Sequence, residues 1–179
     1  RFVQADLFET DLREATVITT YLLPRLMPRL VPKLRTELPV GARIVSHDYP
    51  LAPWPPDKTL LFDVEEKLMI NGTVETKLFY YVVPARIAGN WTLRVEQPLP
   101  IDALALSVEQ APDRLDGTAR MAGFDAPLRE FSVRADQVRF GLLHETRLLE
   151  FRGKVAGDTM TGEVRARGEA ARWTARRAG

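Results

Sequence analysis

The stretch Ala15-Thr16-Val17-Ile18-Thr19-Thr20-Tyr21-Leu22-Leu23-Pro24 decides how the chain folds. It runs without a charge, is rich in β-branched side chains, and is stopped by a proline. A continuous apolar run of this kind marks a strand buried on both faces, as in a parallel sheet. Just after it, Leu26, Leu30, Leu34 and Leu38 stand four apart, with Arg29, Lys33, Arg35 and Glu37 between them. That is one apolar stripe on a helix over residues 25–38. An interior proline costs a helix ~3 kcal/mol, so Pro28 and Pro32 predict that the regular helix starts near Pro32. Pro39-Val40-Gly41 ends it, and Ala42-Arg43-Ile44-Val45-Ser46-His47 reads as a second buried strand. Strand, helix, strand is a βαβ unit with a right-handed crossover. Upstream, residues 2–5 read as a short strand that ends at Asp6.

Downstream the character changes near residue 58. Residues 50–57, Pro-Leu-Ala-Pro-Trp-Pro-Pro-Asp, form a proline-rich stretch that predicts a stiff extended connection. Beyond it almost everything is β-rich. Candidate strands are 59–65, 77–84, 91–96, 103–109, 117–121, 130–135, 137–143, 148–155, 160–165 and 172–176. Asn71-Gly72, Asp116-Gly117 and Gly157-Asp158 punctuate them as tight turns. Short strands at regular spacing indicate an antiparallel barrel or sandwich. The division is therefore an α/β piece over 1–57 and an all-β domain over 58–179. The second is long enough to bury its own core; the first leaves a sheet face and edge bare. A preceding segment or a second copy of the chain is expected to cover them. The chain opens on Arg1 in what reads as a strand under way, as the back part of a longer protein would.

The totals exclude several classes. The 179 residues hold 25 basic and 24 acidic side chains, two histidines and no cysteine. A net charge of +1 argues against a nucleic-acid protein held by a broad basic field. Without cysteine there is no disulfide, thiolate metal site or thiol nucleophile. With only His47 and His144, no imidazole-rich metal site is expected. No apolar run approaches the ~20 residues that span a bilayer. The expected compartment is the cytoplasm ahead of the periplasm, and a cysteine-free chain is compatible with both.

Candidate chemistry is sparse. Ser46, His47 and Asp48 are sequence neighbours on a strand, so they cannot converge as a hydrolytic triad. Glu65 and Glu66 would point to opposite faces of a strand, which excludes a paired-carboxylate mechanism there. Asn71-Gly72-Thr73 matches a glycosylation acceptor and doubles as a turn. Arg165, Arg167, Arg172, Arg176 and Arg177 form a basic C-terminal patch, read as the solvated face of a strand with an anionic partner as the alternative. The strand ends at the front hold the best site, because ligands of open parallel sheets bind beyond the carboxyl ends of the strands. Those ends are Asp6-Leu7-Phe8, Tyr21-Leu22-Leu23-Pro24 and His47-Asp48. An acidic residue followed by two bulky apolar ones suits a purine, its carboxylate accepting from the exocyclic amine.

Taken in order, Arg1 to Phe8, Asp11-Leu12, Ala15-Thr16-Val17, Tyr21 to Pro24, Leu30 to Leu34 and Gly41 to Asp48 resemble the second half of a class I S-adenosylmethionine-dependent methyltransferase. The resemblance runs from Arg1 to Trp54. It is similar in particular to bacterial members that carry a C-terminal β-domain, near the protein-lysine methyltransferases. It implies a Rossmann-like sheet in which residues 2–5, 15–21 and 42–48 are the third, fourth and fifth strands. It implies S-adenosylmethionine as cofactor, with Asp6, Leu7 and Phe8 at the adenine and Tyr21, Leu22 and Leu23 at the methionine. Pro24 and Trp54 would border the acceptor, although Trp54 could instead pack the proline-rich crossing onto the β-domain. His47 and Asp48 are the local candidates for a base; capping of the strand and turn is their plainer role. The family's glycine-rich loop and ribose-binding acid would lie before Arg1. Residues 1–179 alone are thus expected to bind the cofactor poorly and to be inactive. The acceptor would be a protein lysine or a small molecule. Two other readings are a β-barrel that binds an apolar ligand or peptide, and an oligomerisation module such as a homodimer.

Overall fold

A computed structural model describes residues 2–99, 101, 103–121 and 123–178. Arg1, where the resemblance starts, lies outside the described residues. The chain forms two compact units, 1–84 and 85–179.

The first unit is a four-stranded mixed sheet. β1 (Val17–Thr20) pairs in parallel with β2 (Arg43–His47), and α1 (Met27–Glu37) connects them. The two outer additions are β3 (Lys58–Asp63) and β4 (Glu75–Val82), which give the order β1-β2-β4-β3. β4 runs antiparallel to both of its neighbours. Met27, Leu30, Val31 and Leu34 of α1 are buried against Ile44, Tyr81 and Val83. The helix starts at Met27, five residues ahead of the expected start at Pro32, after a 3-10 turn over Pro24–Leu26. Pro28 sits in its first turn, where no N–H is needed. Pro32 lies inside, and the burial of four apolar side chains, each worth about 1.5–3 kcal/mol, offsets its cost.

Four expectations need correction here. Residues 2–5 are not a strand: among the described residues no strand pairs with them. The boundary expected at 57/58 falls inside the first unit, since β3 and β4 continue its sheet. The proline-rich stretch is not a free connection but part of that unit. Leu51 and Trp54 are buried in the first core, the Leu51 amide donates to the Tyr81 hydroxyl (2.8 Å), and the Val82 amide donates to Asp57 Oδ2 (2.7 Å). Finally, Asn71-Gly72 closes a helical turn, Leu68–Asn71, with Gly72 left-handed (φ 70°), where a hairpin turn was expected.

The second unit is a nine-stranded antiparallel sheet in the order β8-β7-β6-β5-β13-β12-β11-β10-β9. Its strands are β5 (Gly89–Val95), β6 (Ala103–Gln110), β7 (Leu115–Met121), β8 (Phe124–Pro127), β9 (Arg129–Arg134), β10 (Gln137–His144), β11 (Arg147–Ala156), β12 (Thr159–Ala166) and β13 (Glu169–Arg177). The sheet curls until its two ends meet, β7 against β9 and β8 against β10, so it is a nearly closed barrel. Alternate side chains point inward to a core around Trp91, Phe140, Phe151 and Trp173. Gly153 stands opposite Gly162, which stands opposite Trp173. A Cβ on Gly162 would lie 2.0 Å from the Arg152 carbonyl oxygen, and one on Gly153 2.5 Å from the Trp173 ring. The bare backbone there lets the indole Nε1–H reach the Arg152 carbonyl at 3.2 Å.

Candidate functional site

At the carboxyl ends of β1 and β2 lies a cleft of about 630 Å³, lined by Tyr21, Leu22, Leu23, Asp48, Tyr49, Lys67, Thr73, Glu75 and Lys77. Strand geometry explains its walls. Thr20 and Ser46 are in register at the last rung of the parallel pair, and both are buried. Thr20 Oγ1 donates to Ser46 Oγ (3.0 Å), and Ser46 Oγ donates to the Tyr49 carbonyl (2.5 Å). This rung ties the two strand ends to the turn after β2, so the residues that follow each strand are held side by side. Asp48 takes a left-handed backbone (φ 61°), which aspartate tolerates better than most side chains.

Asp48 is the electrostatic centre. Lys67 Nζ donates to Asp48 Oδ1 (2.7 Å), stands 2.6 Å from Oδ2, and also donates to the Glu75 carbonyl (2.6 Å). The Lys77 amide donates to Oδ1 as well (3.2 Å). Burial pushes the Asp48 carboxyl up, but the hydrogen bonds from Lys67 and the Lys77 amide, with the His47 and Lys67 charges, outweigh it. The carboxyl is held below the ordinary carboxylate range, so it stays ionised. His47 Nδ1 is 3.5 Å from Asp48 Oδ2, too far to count as a hydrogen bond, and this buried nitrogen has no other partner among the described residues. The Tyr21 ring meets the imidazole edge-on at 4.7 Å. His47 and Tyr21 also line a second, shallower groove with Thr19, Val45 and Leu78.

The expected site residues separate into groups. Tyr21, Leu22, Leu23 and Asp48 meet in the cleft, with His47 beside it. Asp6, Leu7 and Phe8 do not line it. Asp6 Oδ1 accepts from the Phe8 amide (2.7 Å) in an exposed turn. Leu7 and Phe8 pack on the first core, and the Arg29 guanidinium lies over the Phe8 ring at 4.7 Å. Pro24 opens the 3-10 turn before α1. Trp54 does not line the cleft: it is buried in the first core, where it packs the proline-rich stretch against β4, 5.2 Å from Tyr81, with Arg35 over its ring. Reading the sequence missed Lys67, Tyr49, Glu75 and Lys77. No local signal marks Lys67, since a lysine in Glu-Glu-Lys reads as a solvated charge until the fold brings it to Asp48, 19 residues away. Among the described residues no cluster of metal-ligating side chains occurs, and no helix is long and apolar enough to cross a membrane.

The first unit thus sets a cleft at the carboxyl ends of a parallel strand pair, and an antiparallel barrel follows it in the chain. Residues 1–58 match the family described as the ANTKMT methyltransferase domain. The chain is 33% identical over 81 residues to a protein-lysine N-methyltransferase of Saccharolobus islandicus (strain REY15A). That match takes in 45% of this chain and 46% of the relative, so the chain spans about half the length of the curated relative it matches. An RNA methyltransferase from Salinibacter ruber, solved in complex with S-adenosyl-L-homocysteine, is 38% identical over 48% of this chain and 49% of that one, with a TM-score of 0.39.

Proposed function

We propose that the complete protein transfers a methyl group from S-adenosylmethionine to a protein lysine. The observation that carries this reading is the cleft lined by Tyr21-Leu22-Leu23 and Asp48, inside the stretch that matches a methyltransferase domain. The lysine acceptor rests on the similarity to the Saccharolobus enzyme.

The residues present suit part of the cofactor. Asp6 is exposed and uses Oδ1 on the Phe8 amide, which leaves its second oxygen for an exocyclic amine. Leu7 and Phe8 would flank the adenine, and Tyr21, Leu22 and Leu23 the methionine. The cofactor supplies a methyl group on a sulfonium, and an in-line approach by a neutral amine is what the transfer requires. The chain's part is to bind and orient. The aromatic rings of Tyr21 and Tyr49 on the cleft suit an incoming cation. His47, partly exposed beside the cleft, is the candidate to take the proton before attack, at the ring nitrogen other than the buried Nδ1.

Calorimetric titration of the complete protein with S-adenosylhomocysteine tests the reading. Saturable heat at micromolar protein is expected, and its absence would remove the methyltransferase assignment. The sequence encoded upstream is expected to contain a strand followed by a glycine-rich loop. The 179 residues by themselves are expected to give no heat.

A further inference from the structure

The outer face of β10-β11-β12-β13-β5 carries an arrangement that fold stability does not explain. Inward positions of these strands hold the apolar core, while the outward positions of β13 are Arg172, Thr174 and Arg176. Cross-strand register spreads this charge over the neighbours. Arg139 stands directly opposite Arg152, Arg152 opposite Glu163, and Glu163 opposite Arg172. One rung along, Lys154 faces Thr161, which faces Thr174, which faces Arg94. Arg94, Arg139, Arg152, Lys154, Arg172 and Arg176 are all exposed. None of the six side chains makes an ion pair or hydrogen bond among the described residues. Of the carboxylates on this face, Glu163 is taken by Arg165, and Glu150, two residues before Arg152, stands opposite Arg165 at the edge of the cationic cluster.

The basic patch read from the sequence is thereby redrawn. Arg177 is engaged by Asp158, the Arg86 and Ala88 carbonyls and the Trp91 ring, and Arg165 by Glu163. Arg167 lies in the turn between β12 and β13, off this face. Arg172 and Arg176 remain on it, joined by cations from three other strands. Like charges set directly opposite across a strand pair destabilise it, so Arg139 against Arg152 is a cost with no return inside the molecule. Both could be satisfied by one anion between them.

We propose that this face binds an acidic polypeptide segment. Five of the six cations are arginines, whose planar forks match carboxylates two bonds at a time. Residues two apart on a strand are about 7 Å apart, the spacing at which an extended chain shows alternate side chains on one side. Arg152 and Lys154 have this separation on β11. The hydroxyls of Thr161 and Thr174 between them can donate to a peptide's carbonyls. Among the described residues the face offers no aromatic ring on which bases could stack, and its large exposed apolar side chains are limited to Leu143 and Leu148, opposite each other at one end of β10–β11. The proposal does not depend on methyl transfer.

The test uses the complete protein and a fluorescein-labelled peptide of about sixteen residues, alternating glutamate and serine, read by anisotropy. Saturable binding is expected at low salt, weakening at least about tenfold when ionic strength reaches a few hundred millimolar. The triple variant Arg152→Gln, Arg172→Gln, Arg176→Gln is expected to bind at least about tenfold more weakly with an unchanged melting temperature. The matching triple lysine variant recovers part of the loss. Should the glutamine set melt early, the single reversal Arg172→Glu replaces it. Wild-type affinity in these variants overturns the proposal. So does equal binding of a lysine–serine peptide, an absence of saturable binding at low salt, or tighter binding to phosphatidylserine vesicles or duplex RNA than to the peptide.

Discussion

Lys67 Nζ lies 2.6 Å from Asp48 Oδ2, and both side chains are largely withdrawn from water. A charge pair of this kind is costly to break on one side only, because the survivor stays buried without a partner. Lys67→Met leaves Asp48 in that position and is expected to destabilise the first unit by about 2 kcal/mol, measured as the shift of its urea midpoint. Lys67→Arg is expected to recover part of that loss, since a guanidinium can still reach the carboxylate.

The same pair gives the first unit an acid limit. The folded-state pKa of Asp48 lies below the ordinary carboxylate value, so its contribution is complete above that value and is lost as pH falls through the folded one. Stability is expected to decline as pH drops below about 4. Asp48→Asn lowers stability at neutral pH and flattens that decline. An acid limb equally steep in the Asn variant would place the sensitive group elsewhere.

Tyr21 is exposed and touches the imidazole of His47, so its loss should be felt in function rather than in folding. In the complete protein Tyr21→Ala is expected to change thermal stability by less than about 0.5 kcal/mol. It is expected to weaken S-adenosylhomocysteine binding at least severalfold. Unaltered binding would take Tyr21 out of the cofactor site.

The glycine pair of the barrel makes a sharp contrast. Gly162→Ala places a methyl group 2.0 Å from a backbone oxygen that cannot rotate away, and is expected to cost about 3 kcal/mol or more. Gly157→Ala meets no atom within 4 Å and is expected to cost only the left-handed backbone penalty, about 1–2 kcal/mol. Comparison of the two melting curves checks both.

The second unit has a continuous core of its own, from Ile87 to Ala175. Residues 85–179 expressed alone are therefore expected to melt cooperatively. A non-cooperative trace would show that the barrel needs the preceding residues to fold.

How much of this was legible in the sequence follows from how local each signal is. Strict alternation along β5, β6, β10, β11, β12 and β13 is a local pattern, and those strands lie where alternation puts them. The parallel pair β1–β2 was visible in its β-branched runs, but the expected burial on both faces was not met: β1 is only Val17–Thr20 and Val17 is 49% exposed, so the apolar run overstated how much of the strand is covered. β8 was not, since Phe-Asp-Ala-Pro is too short to show a period. The boundary was misleading for a different reason. Pro50 to Asp57 has the composition of a connection, yet Leu51 and Trp54 fill the first core and Asp57 holds the Val82 amide. Composition reports stiffness, not burial. The cleft was half legible: Tyr21-Leu22-Leu23 and His47-Asp48 follow strands, but Lys67 reaches them only through the tertiary fold.

β3 ends the first sheet, and its outer edge has no neighbouring strand. Leu60, Leu61 and Phe62 are exposed there, between Lys58 and Asp63. Such a segment is a template on which another chain can add its own backbone, held off here by little more than the charge at each end. Neutralising Lys58 or Asp63 is therefore expected to promote edge-to-edge assembly, seen as light scattering that rises with concentration.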